Sequence, residues 1–151
     1  MARSEGLPAD AQAAVITCSD RSHGKLRHDE SGPILSALLT ELGFEVGPVT
    51  VVPDDERAIA NALQSAVDGG VDLVATTGGT GFAPRDVTPE ATRQVIDREA
   101  PGLAEALRQY HREQVPTTIL SRAVAGVAGA TLIVNLPGST SGVRDGVADR
   151  T

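Results

Sequence analysis

The chain has 151 residues, enough for one α/β domain that buries a core without help from disulfides or metals. Its formal net charge is −7, which sets it against polyanions at long range and excludes nucleic acid and anionic membranes as expected partners. Aromatic residues are 2% of the chain (Phe44, Phe82, Tyr110), too few to form a platform for bases, and the single cysteine, Cys18, allows neither an internal disulfide nor a cysteine-rich metal site.

Residues 1–12 are polar, contain Gly6 and Pro8, and read as a flexible leader without the apolar core of a signal peptide. Residues 13–151 read as a single domain, and no run approaches the length of a membrane span, so the expected location is the cytoplasm. Ala13–Cys18 is a short apolar run, a candidate buried strand. Ser19–Glu30 is charged and polar and reads as a loop or flap. Ser31 is placed to cap a helix in which Ile34, Leu35, Leu38, Leu39 and Leu42 share a face, and Gly43 ends it. Phe44–Val52 is valine-rich and reads as a second strand, stopped by Pro53. Asp54 or Asp55 caps the next helix, marked by Ile59, Leu63 and Val67 and stopped by Gly69-Gly70. Val71–Thr77 is the third strand, and Thr77–Val87 a glycine-containing loop. Thr88 and Pro89 start a helix, with Thr88 as its cap, and Pro101-Gly102 start another, with Leu103 and Leu107 on one face. Val124–Val134 reads as two short runs joined near Ala128-Gly129, which suits a hairpin. Asn135–Gly138 reads as a turn, and Ser139 begins a last helix. Strands alternating with helices imply a mostly parallel sheet covered on both faces.

Ligands of open α/β sheets bind at the carboxyl ends of strands, and four loops meet that condition: Ser19-Asp20, Pro53-Asp54-Asp55, Thr77–Asp86 and Asn135–Ser139. In Thr77-Gly78-Gly79-Thr80-Gly81, three glycines in four positions let backbone amides turn toward one anion, yet the same residues serve equally for a tight turn. The spacing is neither that of a P-loop nor that of a dinucleotide fingerprint. Asp86 suits either a helix N-terminus or a magnesium ion, which takes one or two carboxylates and leaves its other positions to water and phosphate. On spacing alone Asp54 reads first as a helix cap. Cys18 reads as a buried structural thiol, and His23, His28 and His111 lack metal-ligand spacing.

The stretch Thr76–Thr92, TTGGTGFAPRDVTPEAT, closely resembles the signature of the MoaB/Mog family, which includes bacterial molybdopterin adenylyltransferases and the G domains of gephyrin and its plant counterpart. Ser19-Asp20, Pro53-Asp54, Arg98-Glu99 with Pro101-Gly102, Leu120-Ser121-Arg122 and Asn135–Ser139 also match in order, so the similarity runs from about residue 13 to residue 145. The resemblance implies a three-layer α/β/α fold, usually assembled as a homotrimer. It also implies transfer of AMP from MgATP to the terminal phosphate of molybdopterin, with pyrophosphate released and the product handed to a molybdate-inserting partner. Position by position, Asp86 and Asp54 match the acids that support magnesium and catalysis. Gly78, Gly79, Thr80 and Gly81 match the phosphate-facing loop. Ser19, Asp20, Pro137, Gly138 and Ser139 match loops lining the nucleotide and pterin pockets, and Glu99, Pro101, Gly102, Ser121 and Arg122 match the pterin side. Residues 121–134 and Gly138–Thr140 resemble the MoaB branch as much as the Mog branch. A non-catalytic MoaB-type pterin-binding paralogue is therefore the alternative. Against the family pattern the chain is short at its C-terminus.

Overall fold

The computed structural model describes residues 6–24, 28–111 and 121–138. These form one seven-stranded sheet. Its strands are β1 (Gln12–Cys18), β2 (Glu45–Val46), β3 (Thr50–Val52), β4 (Leu73–Thr77), β5 (Arg98–Glu99), β6 (Ala125–Ala128) and β7 (Thr131–Leu136). The helices are α1 (Asp20–His23), α2 (Ser31–Glu41), α3 (Glu56–Asp68), α4 (Thr88–Val95) and α5 (Pro101–His111). The order across the sheet is β2-β1-β4-β7-β6-β5, with β3 also paired to β1 beyond the end of β2. β1, β2, β3, β4 and β7 run parallel; β6 pairs antiparallel with β7, and β5 antiparallel with β6.

Side-chain alternation along the strands builds two separate cores. Ala13 and Val15 of β1, Leu73 and Ala75 of β4, and Val134 and Leu136 of β7 meet Leu35 and Leu39 of α2 and Ala104 and Leu107 of α5. Ile16 and Cys18, Val74 and Ile133 point the other way, onto Ile59, Ala60 and Leu63 of α3 and Ala91 of α4. The result is three layers, as expected. Leu35, Leu39, Ile59 and Leu63 are fully buried, each contributing roughly 1.5–3 kcal/mol of transfer free energy.

Several local expectations are corrected. The first strand starts at Gln12, and Ala11, assigned to the leader, is already buried. Ser19–Glu30 is not simply a loop: Ser19 caps the short helix α1 by accepting from the amide of Ser22. Phe44–Val52 is two strands rather than one, because Gly47 and Pro48 interrupt it. Ser31 does not cap α2. Glu30 occupies the cap position, and Asp29 closes the end by accepting from the Gly32 amide with Oδ1 and the Thr17 hydroxyl with Oδ2. The Ser31 hydroxyl instead pairs with that of Thr77 at 2.8 Å. Asp55, not Asp54, caps α3. Thr88 is the first residue of α4, after Val87. The hairpin at Gly129 forms as read, and the two-residue strand β5 is an addition. The expected last helix from Ser139 lies outside the described residues.

Asn135 is not in a turn. It lies in β7, 2% exposed, and uses every side-chain group. Its Oδ1 accepts from the Val124 amide at 3.0 Å, and its Nδ2 donates to the hydroxyls of Thr76 and Thr92, each at 3.0 Å. This buried network ties α4 to the sheet beside the ends of β4 and β7. Truncation orphans polar atoms that water cannot reach. We expect Asn135→Ala to lower unfolding free energy by about 2–4 kcal/mol, read from the denaturant midpoint, with Asn135→Asp no better because it removes the donor.

Candidate functional site

Register gathers the site. Thr17 of β1 lies opposite Val51 of β3 and Thr77 of β4, and Thr77 lies opposite Leu136 of β7. The four chain segments that follow, 19–20, 53–54, 78–86 and 137–138, therefore leave the sheet at one level, at its carboxyl edge. The sheet thus brings together Ser19, Asp20, Asp54, Gly78, Gly79 and Gly138; Ser139 lies outside the described residues.

Asp20 and Asp54 are cross-braced. The Asp20 amide donates to Asp54 Oδ2 at 3.0 Å, and the Asp54 amide donates to Asp20 Oδ1 at 2.9 Å. Arg85 closes over this pair with a bidentate grip on Asp20, Nε to Oδ2 at 3.0 Å and Nη2 to Oδ1 at 2.9 Å. That grip, with the amide of Asp54, holds the Asp20 carboxyl below its ordinary range. Asp54 is pushed the opposite way. Burial raises its carboxyl above the usual value, and the nearby carboxylates of Asp20 and Asp86 add to the shift against the amide bond from Asp20. Its Oδ1 is buried without a hydrogen-bond partner among the described residues. A Cβ on Gly79 would sit 3.4 Å from that oxygen, so it faces the glycine loop.

The loop itself is sorted by polarity. The Gly78 carbonyl accepts from the Thr88 hydroxyl and the Gly79 carbonyl from the Thr88 amide. The Thr80 carbonyl accepts from the Arg122 amide at 2.8 Å, and the Gly81 carbonyl from Arg122 Nε at 2.7 Å. The amides of Gly79, Thr80, Gly81 and Phe82 donate to no group among the described residues. Positive φ at Gly78 (+90°) and Gly79 (+71°) makes this arrangement possible. Carbonyls are anchored in protein while successive amides are left for an anion. Asp86 ends the loop: its Oδ2 accepts from the Ala83 amide at 2.9 Å, and a Cβ on Gly81 would lie 2.8 Å from the same oxygen.

Glu99, Pro101, Ser121 and Arg122 do converge, on a cavity of about 270 Å³. Arg93 and Arg108 line it too, and sequence reasoning missed both. The helical spacing of Arg108 from Ala104 is the available signal; Arg93, one residue beyond the signature stretch, has none. Gly102 is exposed and does not line the cavity. Cys18 is the buried thiol expected, pushed up to about 12 chiefly by burial, so it stays protonated and is no nucleophile at neutral pH. No group of three or more His, Cys, Asp or Glu placed to hold a metal exists among the described residues, and no described helix is long and apolar enough to cross a membrane.

The raised Asp54 carboxyl has a thermodynamic consequence. The folded chain holds this proton to a higher pH than the unfolded chain does. Its contribution to stability is therefore present below the ordinary carboxylate value and lost as pH rises through the folded value. At pH 7 the buried charge is a net cost in the ligand-free protein. Asp54→Asn should raise the melting temperature at pH 7 by about 1–4 °C, with the gain shrinking to nothing as pH is lowered below the ordinary carboxylate range. Thermal melts across that range check it; a lower melting temperature at pH 7 contradicts it.

Comparison with known proteins identifies the family. A family described as "Probable molybdopterin binding domain" matches residues 14–149. The molybdenum cofactor biosynthesis protein B of Staphylococcus carnosus is 42% identical over 91% of this chain and 82% of its own length. The molybdopterin adenylyltransferase of Haemophilus influenzae is 41% identical over 95% of this chain and 76% of its own. The crystal structure of a molybdopterin biosynthesis protein from Mycobacterium abscessus superposes with a TM-score of 0.89 at 48% identity, covering 94% of this chain and 89% of that one. Other relatives are much longer: the chain spans 22% of the Drosophila melanogaster molybdenum cofactor synthesis protein cinnamon and 45% of a bifunctional protein from Synechococcus elongatus. The chain belongs to the MoaB/Mog family of probable molybdopterin binding domains.

Proposed function

We propose that the protein is a molybdopterin adenylyltransferase, joining AMP from ATP to the terminal phosphate of molybdopterin and releasing pyrophosphate. The observation that carries this reading is the run of amides from Gly79 to Phe82, unpartnered among the described residues, beside Oδ1 of Asp54, unpaired among the same residues. Amides suit phosphate oxygens, and a buried carboxylate oxygen without a donor suits a cation. Asp54 and Asp86 are the residues that fit magnesium, which takes few protein carboxylates and completes its shell with phosphate and water. Bound there, it would supply charge neutralisation for the phosphates.

The chain's own residues then do three things. The amides of Gly79 to Phe82 orient the nucleotide phosphates and stabilise charge as it builds on them. The pterin side falls to the cavity lined by Glu99, Pro101 and Ser121, which turns the terminal phosphate toward the loop. A phosphate oxygen of the pterin substrate forms the new bond to the α-phosphorus, and the bond from that phosphorus to the β-phosphate oxygen breaks, with its electron pair leaving on pyrophosphate. The nucleophile is already anionic, so no strong general base is required. A homotrimer and a molybdate-inserting recipient of the product belong to the same proposal; sedimentation as a clean monomer would remove the first.

The deciding experiment incubates the protein with molybdopterin, ATP and magnesium and follows adenylylated pterin and pyrophosphate. We expect both products, at least a thousandfold less with Asp86→Asn at nearly unchanged melting temperature, and an Asp54→Asn enzyme that loses turnover more than pterin affinity. Pterin binding without either product in the wild type would establish the non-catalytic paralogue instead.

A further inference from the structure

We propose that Arg122 is a positioning residue for Asp86 and the phosphate loop, not a ligand of the substrate. The inference rests on the adenylyl-transfer reading above and deepens it. The Arg122 guanidinium is committed to protein on three sides. Its Nε donates to the Gly81 carbonyl at 2.7 Å, its Nη2 to the Asp86 carbonyl at 2.7 Å, and its Nη1 to Glu90 Oε2 at 2.6 Å. A longer bond of 3.4 Å joins Nη2 to the other oxygen of Glu90. The Arg122 amide holds the Thr80 carbonyl, and the guanidinium carbon lies 5.5 Å from the centroid of the Phe82 ring. One residue therefore touches the loop at Thr80, Gly81, Phe82 and Asp86 and anchors it to the first turn of α4 through Glu90.

Arg122 is itself held from behind. Arg108 of α5 donates to the carbonyls of Ser121 and Ala123 at 3.2 and 3.0 Å, fixing the backbone on either side of Arg122. The polarity of these contacts explains what the residue does. A guanidinium draws carbonyl oxygens toward itself, and the carbonyls of Gly81 and Asp86 both point to it. The planes of those peptides are thereby set, and with them the direction of the neighbouring amides and of the Asp86 side chain, whose Oδ2 returns to the Ala83 amide. Lysine carries the same charge but presents its donors from one atom and cannot bridge two carbonyls and a carboxylate in this fork.

The test compares wild type, Arg122→Lys and Arg122→Ala across magnesium concentrations in the adenylylation assay. For Arg122→Lys we expect kcat to fall about 10–100-fold, half-maximal activity to need about tenfold more magnesium, and the KM for the pterin to change less than about threefold. Added guanidinium ion should restore part of the activity of Arg122→Ala and none of that of Asp86→Asn. If Arg122→Ala fails to fold, Glu90→Gln carries the test, with smaller shifts in the same direction. Unchanged kcat and magnesium dependence with a raised pterin KM would make Arg122 a substrate ligand and overturn the proposal. Calorimetric titration with MgATP reads the same geometry without turnover: about tenfold weaker binding to Arg122→Lys supports it, and equal affinity, or no binding to either protein, overturns it. Wild-type protein that binds MgATP, with the expected loss in Arg122→Lys, but makes no product would sink the transferase reading and leave the role of Arg122 standing.

Discussion

A Cβ on Gly78 would lie 2.5 Å from the carbonyl oxygen of Cys18, and one on Gly138 would lie 3.4 Å from the Cα of Gly78. The chain leaving β4 thus lies between the chains leaving β1 and β7, closer to the first than a side chain at Gly78 allows and in ordinary contact with the second. That contact depends on the register that sets Thr17, Thr77 and Leu136 side by side. A slip of one residue would send the side chains of each core to the opposite face of the sheet and disrupt both. Hydrophobic packing far from the site therefore fixes the level at which the glycines emerge. The glycines in turn let the backbone adopt the positive φ values that present amides on one side and carbonyls on the other. At Gly79 the neighbour is Thr88, the first residue of α4, whose amide and hydroxyl take up two of the carbonyls.

Charge is handled locally within an acidic chain. The net charge of −7 repels polyanions at a distance, but at the carboxyl edge of the sheet the acids are separated into different states. Asp20 is neutralised by Arg85 and by the amide of Asp54. Asp54 keeps one oxygen buried and unmatched. The two arginines differ as well. Arg85 sits at the surface, its side chain 64% exposed, where an ion pair contributes little and exchanges readily. Arg122 is 27% exposed and spans three elements. A small anion at this edge would meet backbone amides rather than the averaged field of the protein, so an acidic sequence and the proposed phosphate-binding loop are compatible.

The sheet and the helices were legible because their signals are local and periodic: the apolar runs at 13–18 and 71–77, the spacing of Ile59, Leu63 and Val67, and the hairpin at Gly129. Asp54 was misread as a cap because Asp54 and Asp55 look alike on spacing; only the backbone conformation gives the cap to Asp55 and turns Asp54 toward Asp20 and Gly79. Ser19–Glu30 was underread because helix α1 has a single turn and no periodicity to detect. Composition reads Asn135 as a turn residue, whereas its partners, Thr76, Thr92 and Val124, lie 11 to 59 residues away. Arg122 has the same history. Its contacts with Gly81, Asp86 and Glu90 span 32 to 41 residues, and a long-range clamp of this kind leaves no local pattern.

Where the fold departs from its own stability rules, the departures cluster. Elsewhere the buried polar groups are satisfied: Ser31 with Thr77, Asn135 with its threonines, Thr131 with the Val71 carbonyl. Among the described residues the unpaired buried side-chain atoms are Asp54 Oδ1 and Ser22 Oγ, and both belong to the segments at the carboxyl edge of β1 and β3. An acid forced toward its protonated form and a row of amides without acceptors among the described residues each cost stability in the ligand-free chain. Their costs are opposite in sign of charge: one calls for a cation, the other for an anion. A metal-bound phosphate group answers both at once, whereas a cation or an anion alone would satisfy one and leave the other. That pairing, rather than either feature singly, is what supports the proposed nucleotide-handling site over a tight turn beside a buried aspartate.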